Sequence, residues 1–202
     1  LANTGGVEIT LGKEMIRTPV DDAIGYIKKT VIGDVMNIKK VRVDKEGTGM
    51  GWGAVYAQYL ESMDQIGEQG NGLSVSRQLY KGDEALNESA PLKVGDKITV
   101  RLTVKADRDM DFVQIKDDRA ACMEPLQAVS GFRWSNGLGY YQATKDASTQ
   151  FFIDQMRKGT YVIEYQVYVN RTGEYQTGIA TVQSAYAPEF GGHTGGYRVM
   201  VE

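Results

Sequence analysis

The most informative stretch of the chain reads Gln183-Ser184-Ala185-Tyr186-Ala187-Pro188-Glu189-Phe190. It follows a β-patterned run at 173–182, and Gly191 and Gly192 separate it from a last short run at 197–201. Proline and paired glycines interrupt a strand pattern. The sequence therefore predicts an aromatic side chain, Tyr186, carried on a loop between the last two strands of a β domain.

Runs of alternating or β-branched residues dominate the rest of the chain. Ile98, Val100, Leu102 and Val104, for example, fall on one face at a period of two. Glycine and aspartate clusters separate the runs at intervals of roughly ten residues, a spacing typical of β-sandwiches. The segment 20–29 fits a short helix and an extended run about equally well. The predicted strands cover 7–11, 38–43, 53–60, 73–79, 97–105, 111–116, 150–153, 160–169, 174–183 and 197–201.

Composition limits the classes of function. The 202 residues are 42% hydrophobic and 24% charged, which suits one large β domain or two smaller ones. A net charge of −3 lacks the basic character that drives nucleic-acid binding. No apolar run is long enough to span a membrane. The chain starts at Leu1 without a signal peptide, so we expect it to begin inside a longer protein.

One segment predicts a domain boundary. Residues 81–90 are polar and end at Pro91, as a surface linker would. We place the boundary near residue 85 and expect one domain at 1–85 and a second at 91–202.

An ordered set of segments resembles the C-terminal region of bacterial alpha-2-macroglobulins, large protease-trapping proteins of the cell envelope. Tyr186-Ala-Pro-Glu before a terminal strand is one of them, and the others lie at 52–61, 73–80, 94–101, 117–125, 137–141, 146–152 and 158–162. They follow in the family's order, and the segments at 52–61, 73–80 and 94–101 look like those of Bacteroidetes-type members. The resemblance implies an all-β fold of antiparallel sandwiches. Residues 1–85 would be a CUB-like half-domain following the thioester domain, and 91–202 a seven-stranded macroglobulin sandwich of the receptor-binding kind.

The resemblance also implies a non-catalytic function within a protease trap, with no cofactor and no metal. In this family the tyrosine loop covers a reactive thioester in another domain, so the shielding loop here would be Ala185, Tyr186, Pro188 and Glu189. Many bacterial members carry methionine before the tyrosine, and Ala185 would exclude less water. The implied partners are the thioester domain of the parent chain and, through the whole protein, proteases. The implied location is the periplasm or cell envelope, with a lipoprotein anchor on the preceding part.

A carbohydrate- or surface-binding module is the alternative function. Trp134, Tyr140 and Tyr141 surround a glycine-rich segment, and aromatic faces bind the apolar surfaces of sugar rings. The same side chains could cap the end of a sandwich core.

Two residues offer a remote enzyme alternative. Cys122 and the single histidine, His193, would have to form a nucleophile pair. We interpret His193 as a solvated loop residue and Cys122 as a buried apolar one. Cys122-Met-Glu-Pro125 also has proline where a thioester motif requires glutamine.

A partial calcium-loop spacing is present at Asp107, Asp109, Asp111 and Asp118. Phe112 stands where the loop requires glycine for its sharp turn. We therefore predict a charged hairpin tip at 106–110 and no metal site.

Overall fold

The computed structural model describes residues 6–17, 28–33, 38–58, 60–87 and 90–202. Its contacts divide the chain into two units, Leu1–Gln58 and Tyr59–Glu202. Most of the segment 20–29, for which helix and strand were both open, lies outside the described residues.

The first unit contains a small antiparallel sheet. Strands β1 (Val7–Leu11), β2 (Glu14–Arg17) and β3 (Val41–Lys45) pair in the order β2-β1-β3. Gly12 closes the β1–β2 hairpin with a φ of 59°, a conformation that glycine adopts without steric cost. The strand predicted at 53–60 is absent at 53–58 and at residue 60, and Tyr56 and Leu60 are exposed. The CUB-like identity of this part of the chain stays a prediction.

The second unit is built almost wholly of strands. A 3-10 turn at Met63–Gln65 precedes them, and the described residues contain no α-helix. The all-β prediction is thus confirmed. The strands are β4 (Gln69–Asn71), β5 (Leu73–Lys81), β6 (Glu84–Ala85), β7 (Lys97–Ala106), β8 (Met110–Asp118), β9 (Met123–Pro125), β10 (Gly131–Ser135), β11 (Leu138–Thr144), β12 (Ser148–Met156), β13 (Gly159–Val169), β14 (Gly173–Gln176), β15 (Ala180–Ser184), β16 (Gly191–His193) and β17 (Arg198–Val201).

One hydrogen-bonded path joins most of these strands, and it folds back to form a sandwich. Its order is β10-β11-β12-β8-β15-β16-β4-β5-β7-β13-β9, while β14 pairs with β17 separately. Phe151 of β12 and Tyr165 of β13 lie far apart along the path, yet their ring centroids are 5.9 Å apart. Strands from the two ends of the path therefore face each other across a core.

The core follows the alternation of the sequence. The predicted inward positions of β7, Ile98, Val100, Leu102 and Val104, are all buried, and β13 pairs with β7 along ten residue pairs. One continuous apolar cluster also takes in Ile115, Phe151 and Ile163. Burial of these aliphatic and aromatic side chains supplies the main stabilisation of the sandwich.

The division between the units differs from the predicted boundary near residue 85. Strand β5 pairs with β7 from Leu73 to Lys81 and buries Leu73, Val75 and Leu79 in the shared core. Its side chains therefore belong to the same sandwich as residues 91–202. The polar segment that predicted the boundary instead contains the turn between β5 and β6, where Gly82 has a φ of 62°.

The predicted strand at 174–183 is two strands. Residues of β14 pair with β17, whereas β15 pairs with β8. The three residues between them include Thr177 and Gly178, whose oxygens accept hydrogen bonds from Arg77 at 3.0 and 2.5 Å. The buried Arg77 guanidinium thus donates hydrogen bonds to these oxygens at the point where the chain passes from one sheet to the other.

Arg77 and Asp117 form an ion pair inside the sandwich. Arg77 Nη1 lies 2.6 Å from Asp117 Oδ1, and both side chains are at most 4% exposed. Tyr165 donates its hydroxyl to Asp117 Oδ2 at 2.7 Å. Burial raises the pKa of Asp117, while Arg77 and Tyr165 favour its ionised form. The three residues join β5, β8 and β13.

We expect Asp117→Asn to lower the free energy of unfolding by roughly 3–5 kcal/mol, because it leaves the Arg77 guanidinium buried without a counter-charge. The neighbouring ion pair of Asp118 and Lys116 at 3.0 Å is partly exposed. Asp118→Asn is therefore the matched control and should cost less than about 1 kcal/mol. Equal losses in urea-induced unfolding of the two variants would contradict a structural role of the buried pair.

Candidate functional site: the Tyr186 loop

Tyr186 lies on a loop, as the sequence predicts, but this loop connects β15 to the short strand β16 and not to the last strand, β17. Its side chain is 79% exposed. Ala185, Pro188 and Glu189 of the same loop are also exposed. The four residues carried over from the resemblance thus lie together at the surface of the second unit.

Backbone hydrogen bonds close the loop at its base. Ser184 N donates to Phe190 O at 3.0 Å, and Phe190 N donates to Ala187 O at 2.9 Å. Position 192, just after the loop, requires glycine, because a Cβ there would come within 2.7 Å of Gln69 O in the neighbouring strand β4. The glycine pair that marked the end of the loop in the sequence therefore serves close backbone packing.

Two side-chain amides hold the proline turn. Asn71 Nδ2 donates to Glu189 O at 2.7 Å, and Gln183 Nε2 donates to Pro188 O at 3.3 Å. Pro188 also restricts Ala187 to extended conformations. The loop is thus tied both to its own strand β15 and to the end of β4, which reduces the conformational freedom of the segment that carries Tyr186.

Phe190 anchors the loop to the sandwich. Its ring lies over Gly72, where an added Cβ would meet Phe190 Cδ1 at 2.7 Å, and Gly72 has a φ of 68°. The Arg108 guanidinium lies over the other part of the ring, 4.7 Å from the centroid. The ring therefore contacts both the backbone at Gly72 and a cation, and these contacts stabilise it by dispersion and by the cation–π attraction.

Phe112 of β8 contacts Tyr186 directly. Their ring centroids are 5.1 Å apart with an interplanar angle of 83°, an edge-to-face geometry that aromatic pairs favour. Phe112 O also accepts a hydrogen bond from Ala185 N at 2.9 Å. Neither the residue type of Phe112 nor its neighbours in sequence indicate a functional role for it.

The backbone at Phe112 is strained. Its φ is +52°, a region that costs a bulky residue on the order of 1–3 kcal/mol. Buried Met110 and buried Val113 are separated by two exposed residues, Asp111 and Phe112, so the alternation of β8 is interrupted here. The Phe112 ring is half exposed and lies beside the loop.

The arrangement presents an aromatic ring at the surface of the second unit. An exposed phenol ring, braced by a second ring and a hydrogen-bonded loop, offers a rigid apolar surface with one polar tip. Such a surface can cover a site on another domain and exclude water from it.

The structure separates the three aromatic residues of the alternative site. Tyr140 is 6% exposed and its ring packs edge-on against Phe151 in the core, at 5.7 Å. Trp134 is 76% exposed and lies over Gly139. Tyr141 contacts Phe132, which is 80% exposed, at 5.1 Å. An outer aromatic face exists, but it contains Phe132 and lacks Tyr140.

Cys122 and His193 show no shared chemistry. The Cys122 side chain is fully buried, and burial raises the pKa of its thiol. His193 lies in β16, paired with Thr181 and Gln69, and is half-buried on a strand rather than solvated on a loop. No hydrogen bond within the described ranges joins the two residues. Their proposed pairing as a nucleophile receives no support from this geometry.

Three of the four aspartates in the calcium-loop spacing are engaged locally. Asp107 pairs with Arg108 at 2.8 Å, Asp109 Oδ1 accepts the Lys158 backbone N–H at 2.7 Å, and Asp118 pairs with Lys116. The turn between β7 and β8 occupies 107–109, close to the predicted tip. Across the part of the chain that the structure describes, no cluster of three or more metal-ligating side chains is found.

Comparison with known proteins gives a family match across the second unit. Residues 72–189 match the family model of the bacterial alpha-2-macroglobulin MG10 domain. The matched range contains β5 and the whole Tyr186 loop up to Glu189. Circularly permutated Ras protein 2 of Dictyostelium discoideum is 28% identical over 166 residues, which cover 79% of this chain and 4% of that protein.

Solved structures of alpha-2-macroglobulins share the fold. The Salmonella protein reacted with methylamine superposes with a TM-score of 0.57 at 16% identity, covering 100% of this chain and 13% of that one. The Escherichia coli protein activated by porcine elastase gives 0.58 at 14% identity, covering 100% and 19%. The chain thus spans less than a fifth of either relative.

No described helix has the length and apolar character needed to cross a bilayer.

We expect Cys122 to react with a maleimide at least about tenfold more slowly in the native protein than in denaturant, because its thiol is buried and the raised pKa keeps it protonated. The chain has a single cysteine, so the labelling rate reports this site alone. Fast labelling of the native protein would contradict burial of the thiol and support a Cys–His pair.

Proposed function

This chain belongs to the bacterial alpha-2-macroglobulin MG10 domain family, and from that premise we propose that it is the non-catalytic C-terminal part of a protease trap. Its own share in the trap is to pack the Tyr186 loop against the domain that carries the thioester. The cut in the bait region and the enclosure of the protease belong to other parts of the parent protein. The periplasm or cell envelope, with a lipoprotein anchor on the parent, is the location we propose.

The outward position of Tyr186 carries this proposal. A tyrosine that is 79% exposed contributes little to the stability of its own domain. Its loop is nevertheless closed by backbone hydrogen bonds and by the amides of Asn71 and Gln183. A loop this well fixed around an exposed aromatic ring fits a contact with another domain.

The reactions of the related proteins favour a parent protein that reacts with amines and responds to proteases. The Salmonella protein was reacted with methylamine, and a second structure of it carries a tyrosine-to-glycine substitution. The Escherichia coli protein was activated by porcine elastase and by trypsin. We propose that the parent of this chain reacts with both classes of molecule, and that Tyr186 keeps water and small amines away until activation. Covering a reactive bond with a fixed apolar surface acts by exclusion of nucleophiles.

We expect Tyr186→Ala to change the free energy of unfolding of this chain by no more than about 1 kcal/mol, because an exposed side chain loses few contacts. A ring serving the core would cost roughly 3–5 kcal/mol. In the full-length parent the same variant should release a thiol faster on addition of methylamine, measured with a thiol-reactive dye.

Phe132→Ala is the matched control for this experiment. Phe132 is as exposed as Tyr186 but lies on the outer face of β10, so its removal should leave the rate of thiol release unchanged. Unchanged release from Tyr186→Ala, or the absence of any amine-released thiol in the unmodified parent, would overturn the shielding role.

The second candidate function is binding of a carbohydrate or other surface. The exposed rings of Phe132 and Trp134 on β10, with Tyr141 beside them on β11, favour it. Flat aromatic faces are suited to the C–H surfaces of sugar rings. Tyr140 has no part in this candidate because its ring belongs to the core.

If this second function holds, the chain will be retained on peptidoglycan sacculi or cellulose, and Trp134→Ala will weaken retention about tenfold by removing one stacking ring. Tyr186→Ala serves as the control, because its loop is distinct from β10 in the fold. Equal retention of the chain and of both variants would assign any binding to other surfaces.

A further inference from the structure

We propose that Phe112 is the positioning residue of the Tyr186 loop. It fixes the direction of the tyrosine ring through an edge-to-face contact and fixes the start of the loop through its backbone carbonyl. This inference rests on the proposed function only for its consequence in the parent protein, since the positioning itself is a property of this chain.

The register of β8 brings Phe112 to the loop. Strand β15 pairs with β8 up to Ser184 opposite Val113, so Ala185 is the first residue beyond the ladder. Its N–H donates to Phe112 O at 2.9 Å, which continues the pairing by one bond. Ala185 is therefore the last residue bonded to β8, and the chain leaves the sheet beside Phe112. Tyr186 is the next residue.

The side chain of Phe112 acts on the ring of Tyr186. The centroids lie 5.1 Å apart at 83°, so the edge of one ring meets the face of the other. Phe112 is 49% exposed and Tyr186 79% exposed. The side-chain amides of Asn71 and Gln183 bind backbone oxygens of the loop, Glu189 O and Pro188 O. These bonds fix the backbone, whereas the direction of the Tyr186 ring depends on its contact with Phe112.

The cost of Phe112 to the fold points the same way. A left-handed backbone of +52° favours glycine or asparagine over an aromatic residue. The ring is also half exposed, although Met110 and Val113 on either side are buried. A residue that is strained and half exposed contributes poorly to stability, whereas its ring is well placed to orient Tyr186. Strain of this kind concentrates at functional sites.

Three substitutions separate the ring from the backbone. Phe112→Tyr keeps an aromatic ring and should keep the contact. Phe112→Ala removes the ring and retains the strained φ, whereas Phe112→Gly removes the ring and relieves the strain. If Phe112→Ala folds poorly, Phe112→Gly still provides a folded chain without the ring, because glycine accepts this backbone.

The direct test is NMR of the 202-residue chain. We expect nuclear Overhauser contacts between the rings of residues 112 and 186 in the unmodified chain and in Phe112→Tyr. In Phe112→Gly and Phe112→Ala, the ring protons of Tyr186 should move toward the shifts of a freely rotating tyrosine, while the core signals of Phe151 stay in place. Unchanged Tyr186 ring signals in both ring-less variants would overturn the positioning role.

The full-length parent gives the functional readout. We expect Phe112→Gly to speed methylamine-induced thiol release by roughly two- to tenfold, the factor that corresponds to an aromatic contact. The double variant with Tyr186→Ala should be no faster than Tyr186→Ala alone, because both changes act through one ring. Additive effects would contradict positioning. If Tyr186→Ala itself has no effect while the NMR result holds, the proposed shielding fails and the positioning of Tyr186 by Phe112 stands.

Discussion

The ion pair of Arg77 and Asp117 is the constraint on which the arrangement of the second unit depends. Arg77 lies on β5 and Asp117 on β8, which belong to different faces of the sandwich, and Nη1 and Oδ1 are 2.6 Å apart. Removing two charges from water offsets much of their mutual attraction. The pair therefore acts mainly on alignment, because a shift of either strand would leave a charge buried without its partner.

This alignment extends to the Tyr186 loop through the register of neighbouring strands. Arg77 also binds the oxygens of Thr177 and Gly178, which lie just before β15. Ala180 then pairs with Asp117 itself, and the ladder continues to Ser184 opposite Val113. The point at which the chain leaves the sheet beside Phe112 is thus fixed by the same charges that join the two faces. A buried polar cluster in the middle of the sandwich sets the geometry of an exposed aromatic at its end.

Much of this fold could be predicted from periodicity, and the exceptions have physical causes. The long strands β7 and β13 alternate cleanly, so their existence and their inward residues were predictable. The Asn136-Gly137 pair, both with positive φ, is a strong hairpin signal, and attention to it would have indicated β10 and β11. The break at Thr177 depends on Arg77, a hundred residues earlier in sequence, and no local pattern contains that contact. The loop of Tyr186 could be located from proline and glycine, but the roles of Asn71 and Phe112 depend on tertiary contacts and on a backbone angle that phenylalanine rarely adopts.

The entropy of the Tyr186 loop explains why so many contacts fix the backbone around an exposed residue. A free tyrosine on a flexible loop would lose rotational and backbone freedom on meeting another domain, and that loss would weaken the contact. Here the backbone is ordered in advance by Pro188, by Asn71 and by the ring of Phe190. The stability of the sandwich compensates for the entropy lost on ordering the Tyr186 loop. In the proposed role, the Tyr186 ring therefore contacts another domain with little further loss of entropy. The covering role that we propose therefore requires an ordered loop around an exposed ring, and the strained backbone at Phe112 lies where that loop leaves the sheet.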